Sequence, residues 1–205
     1  MKFKYSLENF NYSKNSNFKL EKQKFELNYG DKLKISGENG SGKTTLLKII
    51  IGIIKCETFS FEVIDKKRNI EVQNINEIHS FVEDTPQLME NLSIRDNMNF
   101  FLSLWKEDRK KYKIKFEFFL KMFKLDRYNG ESIKNLSLGT KQKVFISLML
   151  SRDVLVYILD EPFNSLDKES QIALSNYINR STKSFIVVSH DNSKINYNRE
   201  IKLGR

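Results

Sequence analysis

Cross-links, hinges and long apolar runs are all scarce in this chain of 205 residues. A single cysteine, Cys56, excludes an internal disulfide and suits a reducing compartment. Two prolines and eight glycines leave no Pro/Gly/Ser-rich linker, and no internal repeat marks a domain boundary. The longest apolar stretch, LLKIIIGII at residues 46–54, has nine residues and contains a lysine, whereas a membrane span needs about 20. At the amino terminus, MKFKYSLENFNYS breaks with charged and polar residues the apolar core that a secretion signal requires. The chain is therefore expected neither to cross a bilayer by itself nor to be exported.

What is present suffices for a core. Hydrophobic residues make up 40% and charged residues 30%, which fits one folded domain with a subdomain and not a disordered chain. Lys and Arg outnumber Asp and Glu by 35 to 26, and the net charge of +9 favours polyanions without choosing among ATP, nucleic acid and anionic lipid.

Residues 9–17, rich in Asn, Lys and Ser, read as a polar loop between two short strands. Residues 25–27 and 32–36 alternate apolar with polar across Tyr29-Gly30-Asp31, a turn of the type that joins hairpin strands. A helix is expected at 43–52 and mixed strands to about Val82. From 93 to 125 the period becomes helical, with Met98, Phe101, Leu102 and Trp105, then Phe116, Phe119, Leu120 and Phe123, on common faces. A helix at 138–151, an apolar strand at 154–159, a helix at 168–180 and an apolar strand at 185–188 follow. Continuous apolar strands between helices indicate a parallel sheet covered on both faces.

The sharpest chemical signal is GENGSGKTT, which satisfies G-x-x-x-x-G-K-[ST] between a predicted strand and a predicted helix. Its residues Gly37, Asn39, Gly40, Ser41, Gly42, Lys43, Thr44 and Thr45 are the candidate phosphate binders. Glycines let the backbone curl so that successive N–H groups face phosphate oxygens, and the helix adds its positive end. Lys43 supplies a point charge to the β and γ phosphates, and the Thr44 hydroxyl suits Mg²⁺. A second signal is VLVYILDEP, an apolar strand ending in two adjacent carboxylates. Asp160 is placed to hold Mg²⁺ and Glu161, one residue on, to polarise an attacking water. Taken alone, such a strand end is common on protein surfaces; its pairing with the phosphate loop gives it meaning.

Between these signals lies LSLGTKQK at 136–143, heading an apolar helix, and beyond them IVVSHD places His190 thirty residues after Asp160. In this order and spacing, residues 37–45, 136–143, 154–167 and Ser189-His190 resemble the nucleotide-binding domain of ABC (ATP-binding cassette) ATPases over nearly the whole chain. The resemblance implies an α/β fold of the P-loop NTPase type, with a mainly parallel core sheet, an antiparallel N-terminal β-subdomain and an inserted helical subdomain. Residues 1–92 and 152–205 would form the nucleotide-binding core and 93–151 the helical subdomain.

The family's LSGGQ signature completes the ATP site of the opposite subunit, so that role falls by resemblance on Ser137 and Gly139; Leu138 and Thr140 depart from it. A serine N-cap on an ordinary helix is compatible with that role and explains neither Gly139 nor the spacing. FNSLD, ending at Asp167, resembles the loop that crosses the dimer interface, and His190 matches the histidine that holds the attacking water with the glutamate. FVEDTPQLMENLSIRDN resembles the region where a glutamine approaches Mg²⁺; here Asp84 stands at that position, with Gln87 the nearest alternative. For the ring that stacks on adenine the candidate is Tyr12, with Phe10 and Phe18 as rivals. KEDRKKYKIK, residues 106–115, carries six basic and two acidic side chains; such a run is ordinarily a solvated helix face, and the sharper reading is contact with anionic lipid headgroups.

The expected protein is an ATPase subunit that binds ATP and Mg²⁺ and closes head to tail on a second nucleotide-binding subunit. It would drive separate transmembrane permease subunits docked around residues 81–105, at the cytoplasmic face of the cell membrane. The short length and SLGTKQK form resemble subunits of bacterial exporters for peptides or antibiotics. No specific nucleic acid is expected as a partner. The alternatives are a soluble ABC ATPase acting on the ribosome or nucleic acid, and a catalytically weak regulatory module, the latter suggested by Asp84, Leu138 and Thr140.

Overall fold

A computed structural model describes residues 1–12, 18–65, 68–69, 75–128, 130–189 and 195–204. Its elements run β1 (Lys2–Leu7), β2 (Gln23–Asn28), β3 (Lys32–Gly37), α1 (Lys43–Ile50), β4 (Phe59–Asp65), β5 (Arg68–Asn69), β6 (His79–Val82), α2 (Ile94–Leu104), α3 (Arg109–Met122), α4 (Leu138–Leu150), β7 (Val156–Asp160), α5 (Lys168–Arg180), β8 (Ser184–Val188) and β9 (Arg199–Leu203). They form an α/β fold with two sheets. One is antiparallel, in the order β2-β1-β4-β5; the other is parallel throughout, in the order β6-β7-β8-β3-β9.

The parallel sheet is covered on both faces, as the unbroken apolar runs predict. β7 and β8 are buried at every position. Tyr157, Leu159, Phe185 and Val187 point into one core with α2, α3 and α4, while Val156, Ile158, Ile186 and Val188 point into the other with α1 and the antiparallel sheet. The strand period of two thus divides consecutive residues between two cores.

The hairpin expected across Tyr29-Gly30-Asp31 does not form. β2 pairs with β1, whereas β3 pairs with β8 and β9, so the turn hands the chain from one sheet to the other. Gly30 takes φ +94°, and Asp31 Oδ2 accepts the Asn28 backbone N–H at 2.8 Å. Alternation misleads here because Lys32 is buried: its ammonium donates to the carbonyls of Gly30, Ser181 and Lys183 at 2.7–2.8 Å. A lysine so satisfied sits in an interior strand as an apolar residue does.

Each of the helices α2 to α5 opens on a side-chain cap, from Ser93, Asp108, Ser137 and Asp167 respectively; such a cap is typically worth about 1 kcal/mol. Arg152, just after α4, ties this helical block to the sheet. Its guanidinium donates to the His79 and Asn76 carbonyls at 2.9 and 2.7 Å, pairs with Glu107 at 3.3 Å and lies 4.7 Å from the Trp105 ring centroid.

Candidate functional site

β3, β7 and β8 all end at the same edge of the parallel sheet, where strand-to-helix loops of α/β folds bind their ligands. There a cleft of about 500 Å³ is lined by Asn39, Gly40, Gly42, Lys43, Thr44 and Thr45 from the phosphate loop, by Asp160, Glu161 and Asn164 after β7, and by Phe18 and Val188. Two of the sequence signals, 120 residues apart, therefore share one wall.

The loop is built to receive anions. Gly42, the N-cap of α1, takes φ +93° and offers no side-chain cap, so the first-turn N–H groups remain open to a ligand. The φ favours glycine there, and a Cβ would also stand 2.9 Å from the Phe18 ring, which would have to shift. Ser41 Oγ is buried without a hydrogen-bond partner among the described residues. Lys43 is buried, its ammonium donating to the Gly37 and Glu38 carbonyls at 2.9 and 3.0 Å. This is a cation held in reserve inside its own loop.

Across the cleft, Asp160 is 1% exposed and neither carboxylate oxygen completes a hydrogen bond among the described residues. Burial pushes its carboxyl up to about 6, with the Asp84 and Glu161 charges adding to the effect and the nearby Thr44 hydroxyl and Lys48 ammonium opposing it. A buried carboxylate without a partner is costly; a divalent cation shared with the Thr44 hydroxyl would relieve it, so these residues fit Mg²⁺. Hard oxygen donors are what that ion takes, usually one or two carboxylates plus phosphate oxygens. Glu161 lies in the left-handed region at φ +45°, its N–H donating to the Val188 carbonyl at 2.9 Å. A non-glycine residue there stores strain, a feature that clusters at functional sites.

The remaining candidates are dispersed. Asp84 is exposed and outside the cleft lining, with Oδ1 accepting the Thr85 N–H at 2.7 Å, yet near enough to act on Asp160. Tyr12 is 57% exposed, its hydroxyl 3.1 Å from Thr45 Oγ1 and its ring against Phe10 and Phe18; the ring that lines the cleft is Phe18. Ser137 and Gly139 are not in the cleft of their own chain. Ser137 caps α4, its Oγ 2.8 Å from Thr140 Oγ1, and Gly139 packs on the Ser165 backbone. Gly139 thus has a role within the chain that sequence reasoning did not see. Asp167 caps α5 and pairs with Lys143, whose ammonium holds its carboxyl well below the usual range. His190 lies outside the described residues, as do residues 13–17 of the polar loop.

Four participants had no separate place in the sequence reading. Asn164 lines the cleft three residues after Glu161, a position the D-E-P signal could have flagged. Glu83 joins two helices beside Asp84: Lys48 of α1 pairs with it at 2.9 Å, and Gln142 of α4 donates to its carbonyl at 3.2 Å. No local pattern announces such a joint.

Fold and loop together define a phosphate-loop nucleoside triphosphatase. The sequence profile of the ABC transporter family matches residues 20–164, well over half of the chain, and the chain belongs to that family, as one of its ATP-binding, ATP-hydrolysing domains. Solved structures share its fold. The ATP-binding subunit of an ABC transporter superposes with a TM-score of 0.79 at 23% identity, over 92% of this chain and 79% of that one. The ATP-binding cassette MJ0796, a dimer in a post-hydrolysis state bound to ADP and Pi, gives 0.76 at 20% identity, over 98% and 94%. The protein cbiO1 from Clostridium perfringens, part of the ABC transporter complex cbiONQ, gives 0.68 at 24% identity, over 91% and 78%.

Proposed function

We propose that this chain is the ATP-hydrolysing subunit of an exporter of peptide or antibiotic type, closing on a second nucleotide-binding subunit to drive separate permease subunits. The observation that carries the reading is the meeting of Lys43, Thr44, Asp160 and Glu161 around one cleft. The first-turn N–H groups of α1 and the Ser41 hydroxyl bind the phosphates. Lys43 exchanges two neutral carbonyl acceptors for charged phosphate oxygens, which form stronger hydrogen bonds. Thr44 and Asp160 would hold Mg²⁺, which when bound supplies charge neutralisation at the phosphates. Glu161 orients a water and accepts its proton, with His190 assisting. The residues 93–151 act as a helical subdomain whose Ser137 reaches the partner's nucleotide.

A permease would dock in a second groove of about 550 Å³, where Ile53, Phe81, Leu104, Trp105, Met149 and Arg152 line the junction of the helical block with the sheet. Among the described residues no helix is long and apolar enough to cross a membrane; the reading assigns the span to separate subunits and this chain to the cytoplasmic membrane face.

Glu161→Gln tests the chemistry. Expected are retained ATP binding, phosphate release lowered by two orders of magnitude or more, and accumulation of a nucleotide-bound dimer in size-exclusion chromatography. Unchanged phosphate release removes Glu161 from the role of base.

A further inference from the structure

We propose that the outward face of α3 is a lipid-binding surface that lays this subunit directly on an anionic bilayer. α3 buries Tyr112, Phe116, Phe119 and Leu120 against the helical core. Its other side presents Ile114 and Phe118, which are 62% and 52% exposed. At the 3.6-residue period these two share a face with Lys110, Lys111 and Lys121. None of these three lysines enters an ion pair among the described residues. The helix's one carboxylate, Glu117, falls on the same face but is engaged by Arg95, and Lys115 is drawn aside to Asp153. Positive charge is therefore uncompensated where two large apolar side chains are exposed.

This combination selects the occupant. Nucleic acid would use the lysines and leave Ile114 and Phe118 in water, and a purely apolar partner would leave the charges without counterparts. An anionic membrane surface takes both, apolar side chains entering the interface while lysine stems extend to the headgroups. The inference goes beyond the permease reading and does not rest on it, because the surface lies on this chain alone.

The test is co-sedimentation of the purified chain with vesicles of phosphatidylglycerol and phosphatidylcholine, or of phosphatidylcholine alone, with no membrane subunit present. Binding is expected only to the anionic vesicles, weakening as salt is raised. Lys110→Gln, Lys111→Gln and Lys121→Gln together should lower partition on the order of 100-fold, from about 1 kcal/mol per lysine. Ile114→Ser with Phe118→Ser should lower it at least tenfold. All five positions are exposed and outside the nucleotide cleft, so basal ATPase activity should persist. A control removing Lys24, Lys55 and Lys168 should bind as the parent does. The proposal is overturned by failure to bind anionic vesicles, by equal losses in the control, or by indifference to the Ile114 and Phe118 changes. It is overturned too if the chain self-associates through these two residues without lipid, or if the lysine variants lose affinity for double-stranded DNA while keeping vesicles. Any of these leaves the ATPase assignment standing.

Discussion

The carbonyl oxygen of Ser165 lies 2.5 Å from the point a Cβ on Gly139 would occupy. The start of the signature helix thus rests on the backbone of the loop that follows Glu161, within one chain. Gly139→Ala forces that carbonyl away and should destabilise the fold by about 1–3 kcal/mol, read as a lower urea midpoint. The neighbouring Leu138 is 58% exposed, and Leu138→Gly should cost no more than about 1 kcal/mol. Equal midpoints for Gly139→Ala and the parent would contradict the close approach.

Glu161 holds a strained backbone at the edge of the cleft. At φ +45° a side chain other than glycine or asparagine is strained. Glu161→Asn should raise unfolding stability by about 1 kcal/mol while phosphate release is lost. A variant that is both less stable and inactive would show that the strain is relieved elsewhere.

Asp84 adds negative charge beside Asp160. Asp84→Gln should move the Mg²⁺ midpoint of ATPase activity upward, roughly two- to fivefold. Superimposable metal titrations of parent and variant would place Asp84 outside the metal's reach.

His79 makes stability fall on mild acidification. Its Nδ1–H donates to the Ile75 carbonyl at 2.9 Å, leaving Nε2 to accept from the Tyr5 hydroxyl at 2.8 Å, an arrangement only the neutral ring can make. Burial, against the favourable Ile75 carbonyl and with the unfavourable Arg152 charge, lowers its pKa from 6.5 to about 4. Above pH 6.5 neither folded nor unfolded chain protonates it and it contributes nothing. Between 6.5 and 4 the unfolded chain gains a proton that the folded one excludes, so stability declines by about 3 kcal/mol across that window. Urea midpoints from pH 7 to 5 should fall less steeply for His79→Gln than for the parent; parallel slopes would refute it.

How much of this the sequence disclosed depends on the range of the interaction. The phosphate loop and the Asp160-Glu161 strand end were legible because each is a contiguous run whose chemistry needs that spacing. The helices were legible from their 3.6-residue periods. The partners of β3 were not: whether a strand after Gly30 turns back or changes sheet depends on β8 and β9, and on Lys32 finding three carbonyls in the interior. The joint of Lys48, Glu83 and Gln142, the seat of Gly139 on Ser165 and the choice of Phe18 over Tyr12 as cleft lining are likewise products of tertiary contact.

The strand that leads into the phosphate loop has no early neighbours. β3 is flanked only by β8 and β9, with Ile35 opposite Val188 on one side and Ile201 on the other. During synthesis the ribosome releases Lys43 and Thr44 long before either flanking strand exists, so in a nascent chain the strand that leads into this loop stays unpaired for some 150 residues of translation. A ribosome stalled short of β8 would hold a product with every loop residue in place and no nucleotide affinity. Competence for ATP should therefore appear late and all at once.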